Sequence, residues 1–320
     1  MIDLPARLVC HRDITSASNH QLFDHMKPSP ILSRRSALKT LAGTAAITAT
    51  AASLHTRLGA EDTAAGGKGN VNHSVCKWCY PDISLDALCT AGKEFGLKSV
   101  ELLSLDEIPT VQKHGLTCAM VSGIPGGIGR GLNRLENHDT ILQWFEQAAP
   151  KAADLGTRQI ICFSGDRKGL DDQKGIENCA IGIKRLLPIA EKHRITLVME
   201  LLNSRVNHPD YQCDLSKWGV ALCEAVGSEH FKLLYDIYHM QIMEGDLIAT
   251  IKKQHKWFAH YHTGGVPGRN EIDDSQEIFY PAVVKAIVAT GFKGFIAQEF
   301  IPKREDKIAS LRQGVQICDV

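Results

Sequence analysis

No excess of charge of either sign marks this 320-residue chain: 36 Lys and Arg stand against 36 Asp and Glu. A neutral chain has no general attraction for phosphate backbones, which argues against a nucleic-acid partner. Long hydrophobic runs are lacking as well. The apolar stretch from Thr40 to Leu54 is too short and too rich in Ala and Thr for a transmembrane helix, so no membrane span is expected in the mature chain. There is no disulfide framework either. The ten cysteines are scattered, and an odd nine of them follow the N-terminal segment. Several, such as Cys118 and Cys162, sit inside apolar runs where a free thiol behaves as a small hydrophobe. Cys76-Lys77-Trp78-Cys79 is the one CxxC; with no second pair it is half a zinc site, a redox pair, or two loop residues. The Gly-rich segment 122–133 lacks GxGxxG spacing and does not run into a helix, so it reads as an active-site loop, not a dinucleotide cradle.

What is present begins with a leader. Ser33-Arg34-Arg35-Ser36-Ala37-Leu38-Lys39 followed by weakly apolar, small residues resembles a twin-arginine export signal, with cleavage near Ala52 or Ala60. Met26 gives such a signal a more compact start than Met1 does. This reading places the mature protein outside the cytoplasm, or in it if the leader does not function. Residues 61–70 then read as a flexible linker.

From residue 71 onward, strand-like and helix-like segments alternate. Strands are expected at 71–75, 99–102, 117–121 and 159–163, then in four runs ending at Glu200, Asp236, His262 and Glu299. Helices are expected at 84–95, 106–113, 137–155 and 173–193, from a cap at Asp214 to 226, at 246–254 and at 280–290, with a last one within 304–320. Alternation of this kind implies a parallel sheet with right-handed crossovers. Eight units in about 250 residues is the size of a single-domain (β/α)8 TIM barrel, here over 71–303 with a C-terminal helical tail at 304–320.

The chemistry gathers at the ends of the last four strands. Thr196-Leu-Val-Met-Glu200 puts a carboxylate at the exit of a buried apolar run, where packing asks for none. Lys232-Leu-Leu-Tyr-Asp236, Trp257-Phe-Ala-His-Tyr-His262 and Gly294-Phe-Ile-Ala-Gln-Glu299 repeat the arrangement. Alone, Asp236 is a loop cap and His262 a core histidine. Together on one arc of a barrel, three carboxylates and an imidazole repel unless a divalent cation neutralises them. The oxygen-rich set suits Mn2+ or Mg2+, then Co2+ or Zn2+. A cation between two glutamates suits proton transfer in an α-hydroxy carbonyl substrate through an enediolate, with Glu200 and Glu299 as the acid/base pair.

At these residues the chain resembles the hydroxypyruvate isomerase family of the xylose-isomerase-like barrels. The matching stretches are Val198-Met-Glu200-Leu-Leu-Asn203, Asp236-Ile-Tyr-His239-Met240, His260-Tyr-His262-Thr-Gly-Gly-Val-Pro267-Gly268-Arg269-Asn-Glu271 and Gln298-Glu299-Phe300. The resemblance implies Glu200 and Glu299 as catalytic residues and Glu200, Asp236, His262 and Glu299 as metal ligands. It also implies His239 and Arg269 at the substrate, with Arg269 suited to a carboxylate; Asn203, just past the strand end at Glu200, and Glu101, in the second strand, are expected there with them. The implied reaction interconverts hydroxypyruvate and 2-hydroxy-3-oxopropanoate. A ketose 3-epimerase, or an exported sugar-binding protein without catalysis, are the alternatives, and the sequence leaves room for a homo-oligomer.

Overall fold

The computed structural model describes residues 68–320, so the twin-arginine-like leader and most of the 61–70 linker lie outside the described residues. Seven strands form one parallel sheet: β1 (Asn72–Cys76), β2 (Ser99–Glu101), β3 (Gln159–Cys162), β4 (Thr196–Glu200), β5 (Phe231–Asp236), β6 (Phe258–Thr263) and β7 (Phe295–Gln298). Their order is β2-β1-β7-β6-β5-β4-β3. Residues 117–121, expected as a regular strand, make isolated bridges instead, to β2 at Ser99 and to β3 at Ile160. Val100 N–H reaches Thr117 O at 3.1 Å and Val121 N–H reaches Gln159 O at 3.0 Å, so the segment closes the ring between β2 and β3. Side chains interrupt its ladder. Ser99 Oγ takes the Ala119 N–H at 2.8 Å, and Thr157 Oγ1 donates to Cys118 O at 3.0 Å. The result is a TIM barrel, a curled parallel sheet with alternating helices.

The helices are α1 (Leu85–Glu94), α2 (Ile108–Lys113), α3 (His138–Asp154), α4 (Asp172–His193), α5 (Ser216–Val226), α6 (Ile237–Met243), α7 (Leu247–Gln254), α8 (Tyr280–Ala289) and α9 (Lys307–Cys318). None of them is long and apolar enough to cross a membrane. Ser84 caps α1 as its sequence position predicts, its hydroxyl accepting from Ala87 N–H. α5 departs from expectation: its cap is Leu215, and Asp214 instead accepts from Arg167 Nη2 at 2.8 Å and Ser204 Oγ at 2.5 Å. Glu244 takes over the capping task by accepting the Ser216 N–H at 2.8 Å. α6 was not expected as a helix. Asp236 starts it by accepting the His239 N–H at 3.2 Å.

The strands read as near-continuous apolar runs because both faces are covered. Met120, Ile161, Val198 and Leu234 pack together as one small group, while a larger group fills the space between sheet and helices. Polar side chains break this pattern at the carboxyl ends of the strands, and that is where the site lies.

Candidate active site at the barrel mouth

Strand register carries four side chains to one place. Glu200 ends β4, Asp236 ends β5, His262 sits one residue before the end of β6, and Glu299 follows β7 directly. In the sheet Asp236 pairs with His262, and Glu200 with Leu234 two residues upstream of Asp236. One ligand atom from each of the four lies within 4.8 Å of those from the other three. All four residues are buried.

His262 Nδ1 lies 2.6 Å from Glu299 Oε2 and 3.3 Å from Glu200 Oε1. It is aligned for a hydrogen bond with neither, and Glu200 Oε1 has no hydrogen-bond partner. Buried polar atoms so close and yet unsatisfied are what a shared cation would gather. The donor set, three carboxylates and one imidazole nitrogen, fits a divalent ion by the chemistry of its atoms.

The two glutamates are driven apart in proton affinity. Burial, together with the charge of Glu299, pushes the Glu200 carboxyl up to about 7. Burial works the same way on Glu299, but His262, Arg269 and the Trp78 N–H outweigh it and hold Glu299 well below the usual carboxylate range. Burial also raises Asp236, with Arg269 opposing. His262 is held well above the usual imidazole range: burial disfavours its charge, and Cys76, Glu299 and Glu101 overcome that.

The residues expected at the substrate divide into two groups. Asn203, His239 and Arg269 line the same mouth. Arg269 is largely committed within the protein: Nη2 bonds Asp236 Oδ2 at 2.8 Å and also reaches Glu299 Oε2, Nε donates to Glu299 O at 3.1 Å, and Nη1 donates to His239 Nε2 at 2.5 Å. One Nη1 hydrogen is left over. Asn203 Nδ2 stands 2.6 Å from His239 Nδ1. Burial and Arg269 lower the His239 pKa well below its usual value, so this imidazole is neutral. Glu101, by contrast, is fully buried behind His262, its Oε1 3.0 Å from His262 Nε2 and 2.8 Å from His260 Nε2. It is on the far side of the ring from the mouth and is not placed to touch a substrate.

The loop that delivers Arg269 depends on a glycine. A Cβ on Gly265 would fall 2.2 Å from Glu271 O, where the chain doubles back to pair Gly265 with Asn270. Sequence reading missed Trp78. It stands between two free cysteines, and its Nε1–H donates to Glu299 Oε1 at 2.7 Å while Arg269 lies over its ring. A pairing across 221 residues leaves no local signal. Two surface clefts of about 270 and 250 Å³ flank Phe279 on the helical exterior, and none of the four ligand residues lines them.

A closed parallel barrel with a carboxylate-rich site at its strand ends defines an enzyme barrel of the xylose-isomerase kind. The family described as xylose isomerase-like TIM barrel matches residues 93–318, and the chain belongs to it. Among its relatives, a putative hydroxypyruvate isomerase of Homo sapiens is 26% identical over 242 residues, covering 71% of this chain and 87% of that one. A 2-oxo-tetronate isomerase of Cupriavidus necator is 27% identical over 234 residues, covering 68% and 87%. That kinship marks the chain as an isomerase enzyme. Among solved structures, an AP endonuclease of family 2 from Brucella melitensis superposes with a TM-score of 0.65 at 24% identity, over 75% of this chain and 96% of that one. An IolI protein with a bound zinc atom does so at 0.62 and 15%, over 78% and 95%. These two likenesses concern the fold.

Proposed function

We propose that the protein is a divalent-metal-dependent isomerase interconverting hydroxypyruvate and 2-hydroxy-3-oxopropanoate through an enediolate. The observation that carries this reading is the pair Glu200 and Glu299, which meet on one imidazole nitrogen with opposite proton affinities. Two carboxyl groups driven apart in this way are suited to be acid and base at pH 7. Glu299, ionised, takes the proton from C3 of hydroxypyruvate, and Glu200, protonated, delivers one to C2. The hydroxyl hydrogen on O3 passes to O2 as the carbonyl moves from C2 to C3. In the reverse direction the two carboxyls exchange tasks.

Glu200, Asp236, His262 and Glu299 would hold the cation, with Mn2+ or Mg2+ first and Co2+ or Zn2+ next. The ion supplies charge stabilisation for the oxygens that become negative as the proton leaves carbon. The remaining Nη1 hydrogen of Arg269 supplies a hydrogen bond to the substrate's polar end, and His239, whose Nε2 accepts from the other Nη1 hydrogen, holds that guanidinium in place. The names of the two relatives support a short 2-oxo acid as substrate, since both names refer to compounds that carry a carboxylate beside a carbonyl.

Deuterium exchange tests the assignment. Glu299→Gln should abolish solvent-deuterium incorporation at C3 of hydroxypyruvate, and Glu200→Gln should abolish it at C2 of 2-hydroxy-3-oxopropanoate, while the melting curve of each stays two-state. Exchange at the wild-type rate in either variant removes that residue from the mechanism. Turnover of free ketohexoses in preference to hydroxypyruvate would transfer the site to the 3-epimerase reading.

A further inference from the structure

Behind the four ligand residues lies a second polar group that the reaction does not use. Cys76 ends β1, Glu101 ends β2, and His260 and His262 face inward from β6. All are buried, and Glu101 is the hub. Its Oε1 meets His260 Nε2 at 2.8 Å, His262 Nε2 at 3.0 Å and Cys76 Sγ at 4.0 Å. The contact with His262 has hydrogen-bond geometry. A carboxylate can only accept there, so His262 Nε2 carries the hydrogen. The other face of the same ring then presents Nδ1 to Glu200 and Glu299. His260 is braced in turn, because Gln159 Nε2 donates to Ala259 O at 3.1 Å and so turns its Oε1 to His260 Nδ1, also at 3.1 Å.

We propose that Glu101 is a positioning residue: by accepting the Nε2 hydrogen of His262 it fixes the tautomer and tilt of the ring, so that Nδ1 faces the centre formed by Glu200, Asp236 and Glu299. The inference rests on the reading of those residues as ligands of one cation. A histidine that binds metal through one nitrogen commonly donates from the other to a carboxylate, which orients the ring and makes it a better donor to the metal. Cys76, Glu101 and His262 also lie close enough to chelate an ion of their own. That arrangement would strip His262 of the Nε2 hydrogen that its contact with Glu101 is aligned to use.

Two measurements on the full chain decide the matter. In the cation-free protein, the His262 Nε2–H should give a downfield, slowly exchanging proton signal that is lost in Glu101→Ala and shifted in the isosteric Glu101→Gln. Mn2+ titration should give one ion per chain. Affinity should fall about 10–100-fold in Glu101→Ala, with most of it recovered in Glu101→Gln, which keeps an acceptor oxygen and the side-chain shape. Absence of the wild-type proton signal, or unchanged Mn2+ affinity in both variants, overturns the proposal. So does a stoichiometry of two that drops to one in Cys76→Ser. A wild-type protein that takes up no divalent cation sinks the metal reading instead, and the proton signal still reports whether Glu101 holds the ring.

Discussion

At the scale of single residues, the site is a contest between burial and charge. Burial alone would protonate every carboxyl at the mouth, and it nearly does so for Glu200. Glu299 escapes because it has three partners: His262, Arg269 and the indole of Trp78. Trp78→Phe removes one charge-assisted hydrogen bond and leaves ring area behind. Such a bond is worth about 1.5–3 kcal/mol when buried, and the half-exposed indole lies at the weak end of that range. A loss on the order of tenfold in kcat with KM little changed is therefore expected from steady-state kinetics. A change in KM alone would mean that Trp78 contacts substrate and does not tune Glu299. The sequence announced Glu200 and Glu299 because each is a charge at the end of an apolar run. It could not announce Trp78, whose partner is remote, and it misplaced Glu101, because a carboxylate at a strand end reads the same whether it faces the mouth or the back of a histidine.

Elements are held in place by side chains that substitute for missing backbone partners. Glu271 is the clearest case. Its Oε1 accepts from Lys303 N–H at 2.9 Å, Arg304 N–H at 3.1 Å and Ser310 Oγ at 2.9 Å, tying the Arg269 loop to the entry of α9. Glu271→Ala leaves those donors without an acceptor, so a loss of about 1–3 kcal/mol is expected in urea unfolding at pH 7. The pH dependence has a definite sign. Burial would raise the Glu271 pKa, but the Arg304 N–H and its companions lower it below the usual 4.5. Its stabilisation is therefore complete above pH 4.5 and fades as pH falls through the lower folded value. The gap between wild type and variant should narrow below pH 4.5, and a gap independent of pH would show that packing, not charge, was lost. The same substitution of side chain for backbone explains two departures from the sequence reading. Segment 117–121 loses its ladder to Ser99 and Thr157, and α5 is capped from Glu244 instead of from Asp214. Neither partner is near in sequence, so local pattern could not foresee them.

For the molecule as a whole, the barrel's closure collects more negative charge than its own cations balance. Glu101, Glu200, Asp236 and Glu299 converge in the interior, with Arg269 and His262 set among them. A divalent ion bound at 100 times its Kd would add about 2.7 kcal/mol of stability. At about 2–4 °C per kcal/mol for a domain of this size, stripping it with a chelator should lower Tm by about 5–10 °C. The stripped protein should also lose stability as pH rises from 4.5 to about 7. Folded Glu200 titrates at about 7 against an ordinary 4.5, so in that window the folded state holds more protons than the unfolded one. Restoring Mn2+ should flatten the slope. Identical melting curves with and without chelator at every pH would refute a bound ion in the folded protein.

The order of apolar runs, caps and breaks along the chain determined by itself that this is an alternating β/α fold, and that Glu200, Asp236, His262 and Glu299 stand at strand ends. Those are local facts, written in spacings of two and of three to four residues. Only the closed barrel decided which of those ends face one another, how the two glutamates divide a proton between them, and that Trp78, His260 and Glu101 belong to the same centre. Proton affinity and hydrogen-bond partnership depend on distance in space and on exclusion of water, and neither exists until strands far apart in the chain have come together.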